Sequence, residues 1–311
     1  MTEFACKSLL SFFPANYLVL YSSYYASSLT YIRMSFFTAL INKFSGPIQQ
    51  KPSDLAFYDN SNIYLNYFQT TKNWGDTVNP YIVQKVSGKT PVVASPEQQQ
   101  HLLPVGSILR IANHNSIVWG SGFISKKGNI KYKPLKVCAV RGPLTRKLLI
   151  KQGIETPEIY GDPALLMPRF YHPQVEKQYE LGVIPHYRDI QHPLVQQLKE
   201  QGARILDITK DTEAFIDDLL ECKQTISSSL HGLIASDSYG IPNQWVTFKN
   251  ELTGGTFKFQ DYYQSIAQME QKPISAKKLA TMSLQQIVER CQPKPITLDL
   301  DALVNAFPAM D

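Results

Sequence analysis

Neither a GxGxxG fingerprint nor a GxxxxGK[ST] loop occurs in the chain, so the usual signatures of dinucleotide and P-loop enzymes are missing. HExxH is absent, and the six histidines, His101, His114, His172, His186, His192 and His231, include no pair at metal-ligand spacing. No resident metal is expected: Asp76, Asn79 and Asp162 carry suitable oxygens, but turn formation is the plainer role of each. Without a G-x-S-x-G elbow, acyl hydrolysis loses its support. The four cysteines, Cys6, Cys138, Cys222 and Cys291, lie far apart and form no CxxC pair, which points to a reducing cytoplasm. Charged residues make up only 18%, below the usual quarter. No apolar run is long enough to span a bilayer, no cleavable secretory signal is present, and no repeat recurs at solenoid period.

What is present suits one large or two medium domains: 311 residues, 43% of them hydrophobic. A net charge of +5 fits an anionic small substrate or peripheral contact with an acidic membrane, and is too small to point to nucleic acid. Residues 4–41 are rich in Phe, Tyr, Leu and Ser. They read as a helical extension packed on the body, or as sequence preceding a natural start at Met34. Lys7, Arg33 and Lys43 are too few for a basic membrane-binding face. A Gly/Pro/Gln/Lys linker follows at 45–54. The organisation expected is an extension over 1–60, a first Rossmann-like domain over 61–175 and a second over 176–311.

In chain order, a period-2 run predicts a strand at 62–68, mostly buried runs predict strands at 107–112 and 116–119, and further strands are expected at 136–140, 158–160, 181–184, 203–208 and 244–248. Helical spacing predicts helices at 81–86, 144–151, 193–201, 211–222, 260–266, 276–291 and 299–306. Residues 91–100 read as loop, and 168–179 as the crossing between domains. Strands alternating with helices in two blocks predict a mostly parallel, doubly wound α/β sheet in each. Polar clusters at 73–79, 120–122, 141–145, 161–163, 185–189 and 228–231 all follow strands in this reading. Ligands of such sheets sit outside the strands' carboxyl ends, so the clusters are expected to line one cleft.

The stretch TISSSLHGLIASDSYGIP, 225–242, is the strongest of these. It reads as a strand end, a serine run in which Ser228 or Ser229 caps a helix, and a stop at Gly240 and Pro242. His231 then falls in the first turn, where free N–H groups and the helix dipole favour an anion. Arg141 stands before a helix start at Pro143, where its donor fork suits a carboxylate or phosphate. His186 follows a strand-ending proline, and Arg146, Lys147 and Lys151 read as a solvated helix face.

The ordered motifs NWGDTVNPYIV, WGSGFI, AVRGPLTRKLL, YGDPALLMP, VIPHYRD and SSSLHGLIASDSYGIP resemble the polysaccharide pyruvyl transferases over residues 63–263. The first sixty residues depart from the family's usual start. The resemblance implies a GT-B-like pair of Rossmann-like domains with the site between them. It also implies transfer of pyruvyl from phosphoenolpyruvate onto sugar hydroxyls, as a ketal, in cell-surface polysaccharide or capsule biosynthesis. Phosphoenolpyruvate is then a co-substrate, with no other cofactor, and the acceptor is a glycan or lipid-linked oligosaccharide. Arg141 and His231 fall in motifs that carry donor recognition, with Ser228, Ser229, Asn73, Gly75, Asn79, Ser121 and Gly122 as further substrate-binding candidates. His231 suits a general acid or phosphate partner, and Asp76, Asp162 and His186 remain open as the base. The rival is a GT-B-like glycosyltransferase using a nucleotide sugar, followed by a sugar-binding module without turnover.

Overall fold

Two parallel sheets of five strands carry the chain. The computed structural model describes residues 61–248, 254–268 and 271–310, which fall within one compact unit, Asp59–Asp311. The expected extension, linker and Met34 start lie outside the described residues, as does Cys6.

The first sheet contains β1 (Asn62–Leu65), β2 (Thr90–Val93), β3 (His101–Leu103), β4 (Ser116–Trp119) and β5 (Lys136–Ala139), with helices α1 (Trp74–Ser87) and α2 (Pro143–Lys151). A short helix α3 (Met167–Phe170) leads to the second sheet. That sheet contains β6 (Tyr179–Ile184), β7 (Arg204–Ile205), β8 (Cys222–Ser227), β9 (Asn243–Thr247) and β10 (Ile274–Ser275). Between these strands run α4 (Pro193–Glu200), α5 (Thr212–Leu220), α6 (Leu230–Ser238) and α7 (Phe257–Ser265). Three short helices close the chain: α8 (Ala276–Leu279), α9 (Leu284–Val288) and α10 (Leu300–Asn305). Among the described residues, no helix is long and apolar enough to cross a membrane.

The strand orders are β2-β1-β3-β4-β5 and β10-β9-β8-β6-β7. Read from the first strand of each sheet, both are the same doubly wound 2-1-3-4-5 order. The chain leaves β1 to one side and returns on the other beside β3; it does the same at β6 and β8. Each sheet therefore has one switch point, where diverging loops open a crevice.

Several expectations change here. The cluster at 73–79 is not a loop: α1 begins at Trp74 and runs through Pro80. A proline inside a helix removes the N–H that would bond four residues back, here the Asp76 carbonyl. The Asn79 side chain replaces it, donating from Nδ2 to the Asp76 and Gly75 carbonyls at 3.1 Å, while its Oδ1 accepts the Val105 N–H at 2.8 Å. The strand expected at 107–112 is a 3-10 turn at Leu109–Ile111, and the true strand is His101–Leu103. Thr90–Val93, expected as loop, is an edge strand, a position that tolerates Pro91. Tyr160 makes only a bridge to Val140, 203–208 contracts to two strand residues, and the long terminal helix breaks into α8 and α9.

The two sheets are tied together by side chains. Trp74, at the start of α1, donates from its backbone to Ile208 and from its indole to Thr212, and its ring lies 5.5 Å from that of Phe215. Arg141, after β5, pairs with Asp261 on α7 at 3.0 Å with both side chains fully buried. Trp119 of β4 donates to the Leu303 carbonyl in α10. One apolar cluster runs from Ile63 and Leu65 through Trp74 and Leu165 to Ile184, Phe215 and Tyr262.

Candidate active site

A pocket lies where both switch points converge. Asn73 and Ser107 reach it after β1 and β3; His186 and Tyr187 after β6; Ser229, Leu230 and His231 after β8; Ile208 and Lys258 complete the wall. It encloses about 380 Å³ of empty space, its open mouth included.

The serine run places His231. Ser227 Oγ lies 2.9 Å from both the Ile184 and Ser229 carbonyls, which share its single proton, and accepts the Ser229 N–H, which turns the chain from β8 into α6. Ser229 stands at the N-cap, yet its hydroxyl makes no capping bond, and the residue lines the pocket. Ser228, the other expected cap, accepts the His186 N–H at 2.9 Å and donates to Asp189 at 2.9 Å, fixing the His186 loop. His231 follows in the first turn of α6, where backbone donors converge.

Its imidazole rests on glycine. A Cβ on Gly75 would lie 1.8 Å from His231 Nδ1, so only glycine at the start of α1 lets the ring approach. On the ring's other nitrogen, Nε2 faces Asp162 Oδ2 at 3.6 Å, and neither atom has a hydrogen-bond partner among the described residues. The second Asp162 oxygen accepts the Ala164 N–H, which holds the carboxylate in place. Asp76 completes the cluster: burial pushes its carboxyl up to about 6, opposed by His231 and by the hydrogen bond from Asn73 Nδ2. Tyr67 is raised as well, by burial and then by the Asp76 charge.

Lys258 is the cation of the pocket. Burial, then the charge of Arg141, brings its ammonium down to about 8. It makes no ion pair among the described residues, and its Nζ lies 5.3 Å from the Phe259 ring centre. The sequence reading missed Lys258 because its helix began at 260; α7 starts at Phe257. It missed Ser107 because the strand was placed over it rather than before it.

Of the expected residues, the fold brings Asn73, Ser229, His186 and His231 to the pocket, with Gly75, Asp76 and Asp162 packed around the His231 ring and Ser228 behind His186. Asn79, Ser121, Gly122 and Arg141 do not line it. Asn79 repairs α1, and Ser121 is fully buried. Gly122 makes room for the guanidinium, since a Cβ there would lie 2.6 Å from Arg141 Nη2. Arg141 sits one layer back: it donates to Asp261, to the Phe123 carbonyl at 2.7 Å and to Ser107 Oγ at 2.7 Å, so it meets the pocket only through Ser107. Asp261, also missed, accepts from Thr145 N–H and hydroxyl as well. The RGPLT segment thus clamps α7 to the first sheet. No group of His, Cys, Asp and Glu fit to hold a metal occurs among the described residues.

Fold and site together define a parallel α/β protein with an anion-suited pocket built on paired switch points, its imidazole 3.6 Å from the Asp162 carboxylate and within electrostatic reach of Asp76. The model of one family, polysaccharide pyruvyl transferase, matches residues 95–249. The chain is also 34% identical over 211 residues to uncharacterized protein L143 of Acanthamoeba polyphaga mimivirus, covering 64% of this chain and 73% of that protein. No solved structure matches. The chain belongs to the polysaccharide pyruvyl transferase family. At that level it is a transferase with a glycan acceptor, which disfavours the nucleotide-sugar reading.

Proposed function

We propose that the protein transfers the pyruvyl group of phosphoenolpyruvate to two hydroxyls of a glycan, forming a ketal and releasing phosphate. In this reading the two sheets form GT-B-like lobes and the reaction runs in the cytoplasm, with the donor held in the pocket between the lobes. The observation that carries it is the His231 imidazole at a helix start, 3.6 Å from Asp162, within electrostatic reach of Asp76 and in one pocket with the Lys258 ammonium.

Phosphoenolpyruvate brings a phosphate and a carboxylate, which suit Lys258, the α6 amides and the Ser229 hydroxyl. Arg141 acts as a positioning residue, through Ser107 and through its charge on Lys258. Protonation of the methylene carbon makes C2 electrophilic. One sugar hydroxyl adds there and gives up its proton, phosphate leaves with the C2–O electron pair, and the second hydroxyl adds to the cation so formed. The two hydroxyl protons balance the one gained by carbon and the one carried away by phosphate. His231 supplies the proton to carbon, with Asp162 stabilising the imidazolium. Asp76, titrating near neutrality, takes protons from the attacking hydroxyls.

The test uses three variants on phosphoenolpyruvate-dependent phosphate release with a glycan acceptor. If His231 is the acid, His231→Ala lowers kcat by about 10²–10⁴, and His231→Asn and His231→Gln stay nearly as inactive. Recovery of rate by either amide, with a raised donor KM, reassigns His231 to phosphate binding. Wild-type turnover in a folded His231→Ala protein removes it from the chemistry.

A further inference from the structure

Residues 98–154 contain no aspartate or glutamate, while they carry ten lysines and arginines. The chain as a whole is nearly balanced, so this run concentrates its positive charge. The fold then gathers most of that charge onto one surface. The loop between β4 and β5 lies against the end of α2: Ile130 N–H donates to Gln152 Oε1 at 2.9 Å, and Gln152 Nε2 donates back to the Gly128 carbonyl. Ile130 packs against the cluster that contains Phe123, Leu149 and Ile154, which fixes the loop on the body.

Lys126, Lys127, Lys131 and Lys133 of this loop and Lys136 at the start of β5 are exposed, together with Lys147 and Lys151 of α2. None of the seven forms an ion pair with a carboxylate among the described residues. Few carboxylates stand near: Glu97 acts on Lys131, Glu155 shares a surface cleft with Lys133, Leu135 and Lys136, and Glu158 lies beyond the end of α2. Set among the lysines are large apolar side chains turned to solvent: Tyr132 is 50% exposed, Leu135 52% and Ile150 48%. These are three of the six large hydrophobics exposed among the described residues.

Lysine stems can lie along apolar surface while their ammonium groups stay hydrated. Basic residues interleaved with a few aliphatic and aromatic side chains supply the two signals, charge and insertion, that hold a protein at a bilayer surface. A nucleic-acid face would have little use for exposed Leu135 and Ile150, and would draw on arginine forks; the exposed cations here are chiefly lysines. We infer that the loop between β4 and β5, with the outer side of α2, docks the protein on an anionic lipid bilayer.

The test is cosedimentation of the full chain with vesicles of phosphatidylcholine containing about one-third phosphatidylglycerol, and with phosphatidylcholine alone. Wild type binds the anionic vesicles at about 0.1 M salt and is largely released at about 0.5 M, where screening is short-ranged. Each lysine near such a surface is worth roughly fivefold in binding. The variant K126Q/K131Q/K133Q/K147Q therefore binds at least about 100-fold more weakly, with an unchanged melting temperature. Y132S/L135S binds more weakly too while keeping its salt dependence. Failure of wild type to bind, equal binding to neutral vesicles, or undiminished binding by the four-lysine variant overturns the inference. Retention of duplex DNA at the same salt without retention of vesicles overturns it in favour of a nucleic-acid face.

Discussion

At the residue scale, burial shifts two groups near the pocket, Asp76 upward and Lys258 downward. Asp76 has a carboxyl raised to about 6 by burial, above its ordinary value of 3.8. A raised carboxyl stabilises the fold below its unfolded pKa and loses that contribution as pH rises through the folded value. Asp76→Asn removes the buried charge, so the variant should be more stable than wild type near pH 7.5, by at most about 1–3 kcal/mol, and the difference should shrink toward pH 5. The same variant should lose most of its turnover. A thermal-melt series over pH with parallel rates checks both, and destabilisation at pH 7.5 would mean the carboxylate is supported better than its burial indicates. Lys258 gives the alkaline limb of donor binding. Its ammonium titrates near 8, so donor KM should rise as pH passes that value. Lys258→Gln should flatten the limb and lower kcat/KM at pH 7 by about 10- to 100-fold, the scale of a charged hydrogen bond. Equal donor kinetics in Lys258→Gln would take it out of donor binding. His231 was legible because its context, a serine run before an apolar helix, is itself a sequence pattern. Lys258 was not: nothing in FKFQDYY separates a pocket lysine from a surface one.

At the scale of elements, α1 shows where local rules mislead. Asn, Gly, Asp and Pro within eight residues spell a loop, yet they form two turns of helix. Each is there for tertiary reasons: Gly75 admits the His231 ring, Asp76 faces it, and Asn79 repairs the break made by Pro80. Gly75→Ala isolates this effect. Alanine favours a helix over glycine, but its Cβ would displace the imidazole. The expected result is a melting temperature close to wild type with kcat reduced at least about tenfold, the lower part of an acid–base contribution. A fully active Gly75→Ala protein would mean that the ring position is not critical. The RGP segment misleads in the other direction. Its arginine reads as a ligand fork, but the fold spends that fork on Asp261, Phe123 and Ser107. Sequence alone could not show this, because Asp261 lies 120 residues away.

At the scale of the whole molecule, alternation of strands and helices was enough to predict two parallel α/β sheets, and these are present. The shared strand order was not legible, since β2, β3 and β10 are too short for a period-2 signal. That order positions the pocket. It puts a switch point in each sheet, and loops from both meet at one pocket. Neither half alone supplies the set, since Asn73, Asp76 and Asp162 precede β6 while His186, Ser229, His231 and Lys258 follow its start. The central claim is that this joint site moves a pyruvyl group, and phosphoenolpyruvate labelled with carbon-13 at its methylene carbon tests it most directly. Incubated with the full chain and lipid-linked or free oligosaccharide, the labelled carbon should appear in the glycan as a ketal methyl, with one phosphate released per ketal. Unlabelled glycan with phosphoenolpyruvate left intact, alongside nucleotide release from a sugar nucleotide, would contradict the account.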